Sequence, residues 1–252
     1  MRFYKDFAVY YFETNRFLQL RPVSILNYLE ETATEQVEKE GFGFSYLNKL
    51  NCGWALIQWH IEFYEYPVWG EKVQVETWPS GFDKLYATRE YFLKCSNGEI
   101  LAKASSRWIF IDLEKRRPVR IPAEFIAHGW AEDEFNFPVQ TEKPAELLDP
   151  RYSLEFAVRR SDIDTNGHVN NAKYLEWIIE GVPEKIYREC RLVELDLHYK
   201  KEISFCEEGR TFIISQCDEE SESEEEYIYK HQVVSQSEKI SLAFARTKWV
   251  KQ

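Results

Sequence analysis

The chain has 252 residues, 44% apolar, 16% aromatic and 30% charged, enough to bury one large core or two smaller ones. Its net charge of −11 argues against nucleic acid and anionic membrane as partners, and no apolar run nears the roughly 18 residues that span a bilayer. Five scattered cysteines (Cys52, Cys95, Cys190, Cys206, Cys217) show no metal-ligand or disulfide spacing and point to a reducing compartment.

In chain order, strand-like sequence begins at residues 7–12, which predicts no leader ahead of the fold and a globular, cytoplasmic protein. A helix is predicted over 23–40, where Leu26, Leu29, Ala33 and Val37 share a face, with Pro22 before it and Gly41 after. Strands are predicted at 54–66, 71–79, 85–95 and 100–113, and Asn97-Gly98 reads as a hairpin turn. Residues 114–150 carry five of the nine prolines and read as the connection to a second half. Basic residues gather at Lys115, Arg116, Arg117 and Arg120, either as a solvated face or as a docking patch for an acidic partner.

The second half repeats the order. Phe156-Ala157-Val158 echoes Phe7-Ala8-Val9, and a helix is predicted at 171–181 from Ala172, Leu175 and Ile179. Strands follow at 192–205, 210–217, 227–236 and 239–250. Seven carboxylates fall between Asp218 and Glu226, an expected hairpin loop, which leaves only −4 for the rest of the chain. Tyr28-Leu29-Glu30 matches Tyr174-Leu175-Glu176, and Ala104 to Ile109 matches Ala245 to Val250. Three echoes in one order indicate an internal duplication.

One helix followed by long antiparallel strands has one available burial surface, the concave face of its own sheet. The expected fold is therefore α+β, a tandem double hotdog in which each sheet wraps a central helix. Its parts would be an N-terminal hotdog at 1–122, a linker at 123–150 and a C-terminal hotdog at 151–252.

The unusual local sequence is 161–171, Ser-Asp-Ile-Asp-Thr-Asn-Gly-His-Val-Asn-Asn, directly before the second helix. The matching stretch from Glu13 to Pro22 has no histidine and offers Asn15 alone. The segment reads either as a polar turn capping the helix through Asn170 or Asn171, or as a site. In a site, helix-start N–H groups would hold a developing oxyanion beside a histidine and a carboxamide. The local sequence does not identify a base. No His/Cys cluster at ligand spacing and no glycine-rich phosphate loop occurs, so neither a metal nor an organic cofactor is expected.

The segment Asp162 to Tyr174 resembles the Asp-x-Asn-x-His-Val-Asn-Asn signature of the acyl-acyl-carrier-protein (acyl-ACP) thioesterases. The strand Leu197-x-Tyr199-Lys200-Lys201-Glu202 is similar to that family's Leu-x-Tyr-basic-basic-Glu. First-half stretches at 26–33, 66–71, 75–78 and 104–108 extend the resemblance along nearly the whole chain. It implies hydrolysis of acyl-ACP to free fatty acid, with Asp164, Asn166, His168 and Glu202 as the catalytic set. It also implies an acyl pocket in the first half, for which Leu26, Leu29, Ala33, Trp54, Trp59 and Trp78 are candidates, and an acidic carrier as partner of a monomer or homodimer. Where plant members have a cysteine after the glutamate, this chain has Ile203. Cys206 lies about 13 Å further along an extended strand, which makes it a bystander. Rival expectations are an acyl-CoA thioesterase, a non-catalytic acyl-binding double hotdog, and a hydratase using Glu176 or Glu180.

Overall fold

A hydrophobic stripe at helical spacing is followed twice by four long strands, and each repeat folds on itself. The computed structural model describes residues 1–138, 144–147, 152–203, 225–235 and 240–252, together with the main chain of 210–217. Two compact units result, Met1–Val139 and Gln140–Gln252.

The first unit contains β1 (Phe3–Ala8), α1 (Pro22–Lys39), α2 (Phe44–Leu50), β2 (Cys52–Phe63), β3 (Lys72–Asp83), β4 (Tyr86–Cys95), β5 (Ile100–Asp112), β6 (Arg117–Pro118) and α3 (Ala123–Ala127). Its antiparallel sheet runs β1-β3-β4-β5-β2, with β6 beside β5. The second unit contains β7 (Tyr152–Ala157), α4 (Asn171–Glu180), α5 (Glu184–Glu189), β8 (Cys190–Tyr199), β9 (Arg210–Cys217), β10 (Glu226–Ser235) and β11 (Ile240–Lys251). Its sheet runs β7-β9-β10-β11-β8, the same plan strand for strand. Each unit is a hotdog.

Helix α1 starts at Pro22, whose missing N–H costs nothing in a first turn, and stops before Gly41 at φ +82°. It buries Leu26, Leu29 and Ala33, with Val37 partly covered. The Asn97-Gly98 turn forms as expected, with Gly98 at φ +90° and its N–H donated to the Cys95 carbonyl.

Four expectations are corrected. The first strand is Phe3–Ala8 rather than 7–12, because pairing with β3 ends at Ala8↔Lys72. Glu13 then accepts the Tyr10 N–H and turns the chain through a 3₁₀ turn at Tyr11–Glu13. Strand β8 ends at Tyr199 rather than at 205: the Lys200 and Lys201 N–H groups both point to the Leu242 carbonyl, which closes the ladder. Residues 123–130, expected in the linker, pack into the first unit. Ile121, Phe125 and Trp130 form a buried cluster with Phe110 that also takes in Val37, Phe42, Leu47 and Trp54. Three short helices (α2, α3, α5) were not expected, since five to seven residues hold too little periodicity to read. The acidic tract, apart from Glu225 and Glu226, and Cys206 lie outside the described residues.

The duplication extends into the buried polar atoms. In the first unit the Tyr91 hydroxyl lies 3.0 Å from the Ser106 hydroxyl, which also accepts Trp108 Nε1–H at 2.7 Å. In the second, His231 Nε2 lies 2.8 Å from the Thr247 hydroxyl, which accepts Trp249 Nε1–H at 2.9 Å. The positions correspond through the ladders, Tyr91↔Ala104 in one sheet and His231↔Ala245 in the other. Burial pushes the His231 pKa down to about 3.

Candidate active site

The loop before α4 is organised by one carboxylate. Asp164 Oδ1 accepts the N–H of Asn166 at 2.8 Å and of His168 at 3.2 Å, and the Asp164 N–H is donated to the His168 carbonyl at 2.8 Å. Gly167 completes the turn at φ +78°, a region in which an L side chain is strained. Asp162 accepts the Arg159 N–H and offers its carbonyl to the Asn170 N–H, locking the loop's entry to its exit. The Asn170 side chain caps α4 by accepting the Ala172 N–H at 2.8 Å. The capping expectation therefore holds for Asn170, and the cap consumes one of the helix-start donors.

Glu202 comes from beyond β8. After Tyr199 the chain crosses to the loop, and the Val169 N–H is donated to the Ile203 carbonyl at 2.7 Å. This crossing sets Glu202 Oε2 3.5 Å from His168 Nε2. The imidazole is largely covered and the carboxylate is 40% exposed, so water reaches the pair from the carboxylate side. A separation of 3.5 Å is long for a charge-assisted hydrogen bond yet leaves both atoms able to contact one water oxygen. Asn166 is exposed on the same loop, with its Nδ2 3.4 Å from Asp164 Oδ2.

Thus Asp164, Asn166, His168 and Glu202 are brought together, although 34 residues separate the last two in sequence. The carboxylate that approaches His168 lies outside the local sequence and is delivered by long-range backbone pairing. Glu176, the alternative carboxylate on α4, pairs instead with Lys173 at 2.8 Å, and Glu180 is exposed.

The candidate pocket residues divide. Leu26, Leu29 and Ala33 lie buried on α1. Trp59 pairs with Ser106 on the sheet face that Tyr91, Thr77 and Arg89 share, and Arg89 reaches Gln36 of α1 at 2.5 Å. Trp54 belongs to the Phe110–Phe125 cluster, with ring centroids 4.8 and 5.4 Å from those two. Trp78 faces away from α1: it alternates with Thr77, donates Nε1–H to the Glu134 carbonyl and lies beneath the Arg2 guanidinium. Among the basic candidates, Lys115, Arg116, Arg117 and Arg120 are all exposed around the β5–β6 turn. Among the described residues no group of three or more His, Cys, Asp and Glu side chains is arranged to hold a metal ion.

The first unit builds the same loop. Asn15 Oδ1 accepts the N–H of Phe17 at 2.8 Å and of Gln19 at 3.1 Å, and Asn15 N–H is donated to the Gln19 carbonyl at 2.8 Å. Glu13 accepts the Tyr10 N–H as Asp162 accepts that of Arg159. The Leu20 N–H meets the Pro67 carbonyl as the Val169 N–H meets that of Ile203. These matches align Asn15 with Asp164, Phe17 with Asn166, Gln19 with His168 and Tyr66 with Glu202.

Comparison with known proteins settles the family. The acyl-ACP thioesterase N-terminal domain matches residues 1–128, and the acyl-ACP thioesterase C-terminal domain matches residues 146–251. The chain belongs to the acyl-ACP thioesterase family. It is 33% identical over 196 residues to oleoyl-acyl carrier protein thioesterase 2, chloroplastic, of Arabidopsis thaliana, covering 71% of this chain and 53% of that protein. It is 28% identical over 218 residues to a chloroplastic dodecanoyl-[acyl-carrier-protein] hydrolase of Cinnamomum camphora, covering 79% and 56%. The chain thus spans about half the length of these curated relatives. Its fold is shared with an acyl-ACP thioesterase from Bacteroides thetaiotaomicron (TM-score 0.83, 24% identity, 98% and 97% covered). The 12:0-ACP thioesterase from Umbellularia californica shares it too (TM-score 0.87, 22% identity, 100% and 94% covered).

Proposed function

We propose that this protein hydrolyses the thioester of acyl-ACP, releasing free fatty acid and the holo carrier and so ending chain elongation. The observation that carries the reading is the 3.5 Å approach of His168 Nε2 to Glu202 Oε2, in a chain whose two halves both match the family. Glu202 takes a proton from a water held against both side chains, and the water oxygen bonds to the thioester carbonyl carbon. The carbonyl oxygen gathers negative charge, which the Asn166 carboxamide stabilises. When the tetrahedral species collapses, the C–S bond breaks and the sulfur leaves with a proton delivered through His168. Asp164 holds the loop that presents Asn166 and His168.

The acyl chain occupies the α1 side of the first unit, lined by Leu26, Leu29, Ala33 and Trp59. Each buried methylene contributes on the order of 0.8 kcal/mol there. The exposed basic turn at Lys115 to Arg120 docks the acidic carrier despite the overall charge of −11. No described helix is long and apolar enough to cross a membrane. Cys52, Cys95 and Cys190 are free thiols, which supports a reducing, cytoplasmic setting.

The test is incubation of the purified chain with acyl carriers of several chain lengths, and with the same acyl groups on coenzyme A, scoring released acid by mass spectrometry. Release that favours the carrier, and that Glu202→Gln abolishes, supports the reading. Equal kcat/KM on both handles supports a general acyl thioesterase instead, and no release from either refutes hydrolysis. Reversing Lys115 and Arg117 to Glu should raise KM for the carrier-bound substrate about tenfold while leaving that for acyl-CoA unchanged.

A further inference from the structure

The segment that bears Glu202 is tied to α4 by two phenols. The Tyr199 hydroxyl donates to the Asn171 carbonyl at 3.0 Å, in the first turn of the helix that follows the His168 loop. The Tyr174 hydroxyl donates to the Lys201 carbonyl at 3.4 Å and takes a backbone hydrogen bond from Ile203, so it grips the chain on both sides of Glu202. The two rings meet edge to face with centroids 5.2 Å apart, which fixes each against the other.

A buried tyrosine hydroxyl finds a partner in most proteins, so these bonds alone would pass as ordinary packing. The first unit separates the two meanings. There the residue aligned with Tyr199 is Phe63: it sits opposite Ala102 as Tyr199 sits opposite Ala243, and the next two N–H groups reach the Leu101 carbonyl as Lys200 and Lys201 reach Leu242. The hotdog therefore closes this strand end without the hydroxyl. Tyr174, three residues after the helix start at Asn171, aligns with buried Ile25, three after Pro22, which has no hydroxyl at all. The phenol of α1, Tyr28, aligns with Trp177 and spends its hydroxyl on Glu13 at 2.5 Å and on the Ala8 carbonyl. The clamp accompanies the unit that carries His168 and Glu202.

We infer that Tyr199 and Tyr174 are positioning residues that hold Glu202 at working distance from His168, an assignment that rests on the hydrolytic reading above. Neither phenol touches the reacting atoms. Each acts through the backbone of 200–203, whose displacement by about 1 Å is enough to cost a hundredfold in rate.

The experiment compares Tyr199→Phe, Tyr174→Phe, Tyr28→Phe and Glu202→Gln on the acyl carrier that the unaltered protein turns over fastest, with Tm measured for each. Tyr199→Phe installs the residue the first unit already uses, so it should fold and melt near the unaltered protein. Its kcat should fall about tenfold while KM stays within about twofold, because a shifted carboxylate damages the transition state and leaves acyl binding intact. Tyr174→Phe should behave alike with a lower Tm. Tyr28→Phe should lower Tm and keep kcat. Unchanged kcat in both Tyr199→Phe and Tyr174→Phe overturns the assignment, as does a loss of kcat in Tyr28→Phe that matches theirs for the same loss of Tm. Glu202→Gln separates the two levels: if it abolishes turnover while both phenylalanine variants keep it, only the clamp falls. If Glu202→Gln itself turns over normally, the hydrolytic reading falls and the clamp with it.

Discussion

Leu18 and Gly167 occupy the same turn of their respective loops, at φ +61° and +78°. One carries a side chain in a backbone region where only glycine is unstrained, and the other is the glycine. Around them the backbone hydrogen bonds that close each loop on itself are duplicated, while Phe17, Gln19 and Tyr66 stand where Asn166, His168 and Glu202 stand. The loop is thus a scaffold that folds whether or not it carries polar equipment. Of the two copies, only the second sets an imidazole against a carboxylate.

The first unit is therefore a set of substitutions already tested for folding, and placing its residues into the second unit measures what the difference is worth. The largest effect is expected from His168→Gln or Glu202→Tyr, which copy Gln19 and Tyr66. Turnover should fall by about a thousandfold with little change in Tm, as steady-state kinetics and thermal melting would show. A comparable loss of Tm would mean that the histidine holds the loop together and that the two loops are less alike than their hydrogen bonds.

Asp164→Asn copies Asn15, whose amide oxygen accepts the same two N–H groups. Its kcat should fall less than about tenfold, whereas Asp164→Ala, which strips the loop of its acceptor, should cost about 1–3 kcal/mol of stability as well as most of the activity. Equal and large losses of kcat in both variants, with Tm held in the first, would assign the carboxylate charge a direct part in the reaction.

A third comparison concerns the buried triads. His231 is neutral in the folded protein, with its pKa pushed down to about 3, while the unfolded chain binds a proton near pH 6.5. Below that pH the unfolded state holds the extra proton, so stability falls as pH drops from about 6.5 towards 3, by up to about 1.4 kcal/mol per unit. His231→Tyr, copying Tyr91, should flatten that part of a Tm-against-pH curve. An unaltered slope would show that carboxylates elsewhere set the acid limit.

The smallest effect is expected at the loop tip. Leu18→Gly should raise Tm by about a degree or two through relief of backbone strain, offset by the flexibility glycine brings to the unfolded chain. Gly167→Leu should lower it by a similar amount, since a side chain there meets open space and only the backbone objects. Differential scanning calorimetry resolves both.

What the sequence determined by itself was the plan. Periodicity at Leu26, Leu29 and Ala33, alternation along the strands, and the echo of Phe7-Ala8-Val9 in Phe156-Ala157-Val158 are local patterns written by local burial, and local burial needs no knowledge of the partner. The Tyr-Leu-Glu echo, by contrast, falls three residues out of register between the two helices. The Asp164–His168 turn was legible for the same reason, because its acceptor and donors lie within five residues. Tertiary structure alone decided where β8 stops, and hence that Glu202 leaves the sheet to meet His168 instead of extending along a strand. That outcome depends on carbonyls at Leu242 and Ile203 and on the Val169 N–H, groups that every sequence possesses and none announces. The same holds for Trp78, sent to the far face of its sheet by strand parity against Thr77, and for Phe125 and Trp130, drawn from a proline-rich connection into a core. Backbone pairing and the choice of sheet face are long-range properties, and they set the site.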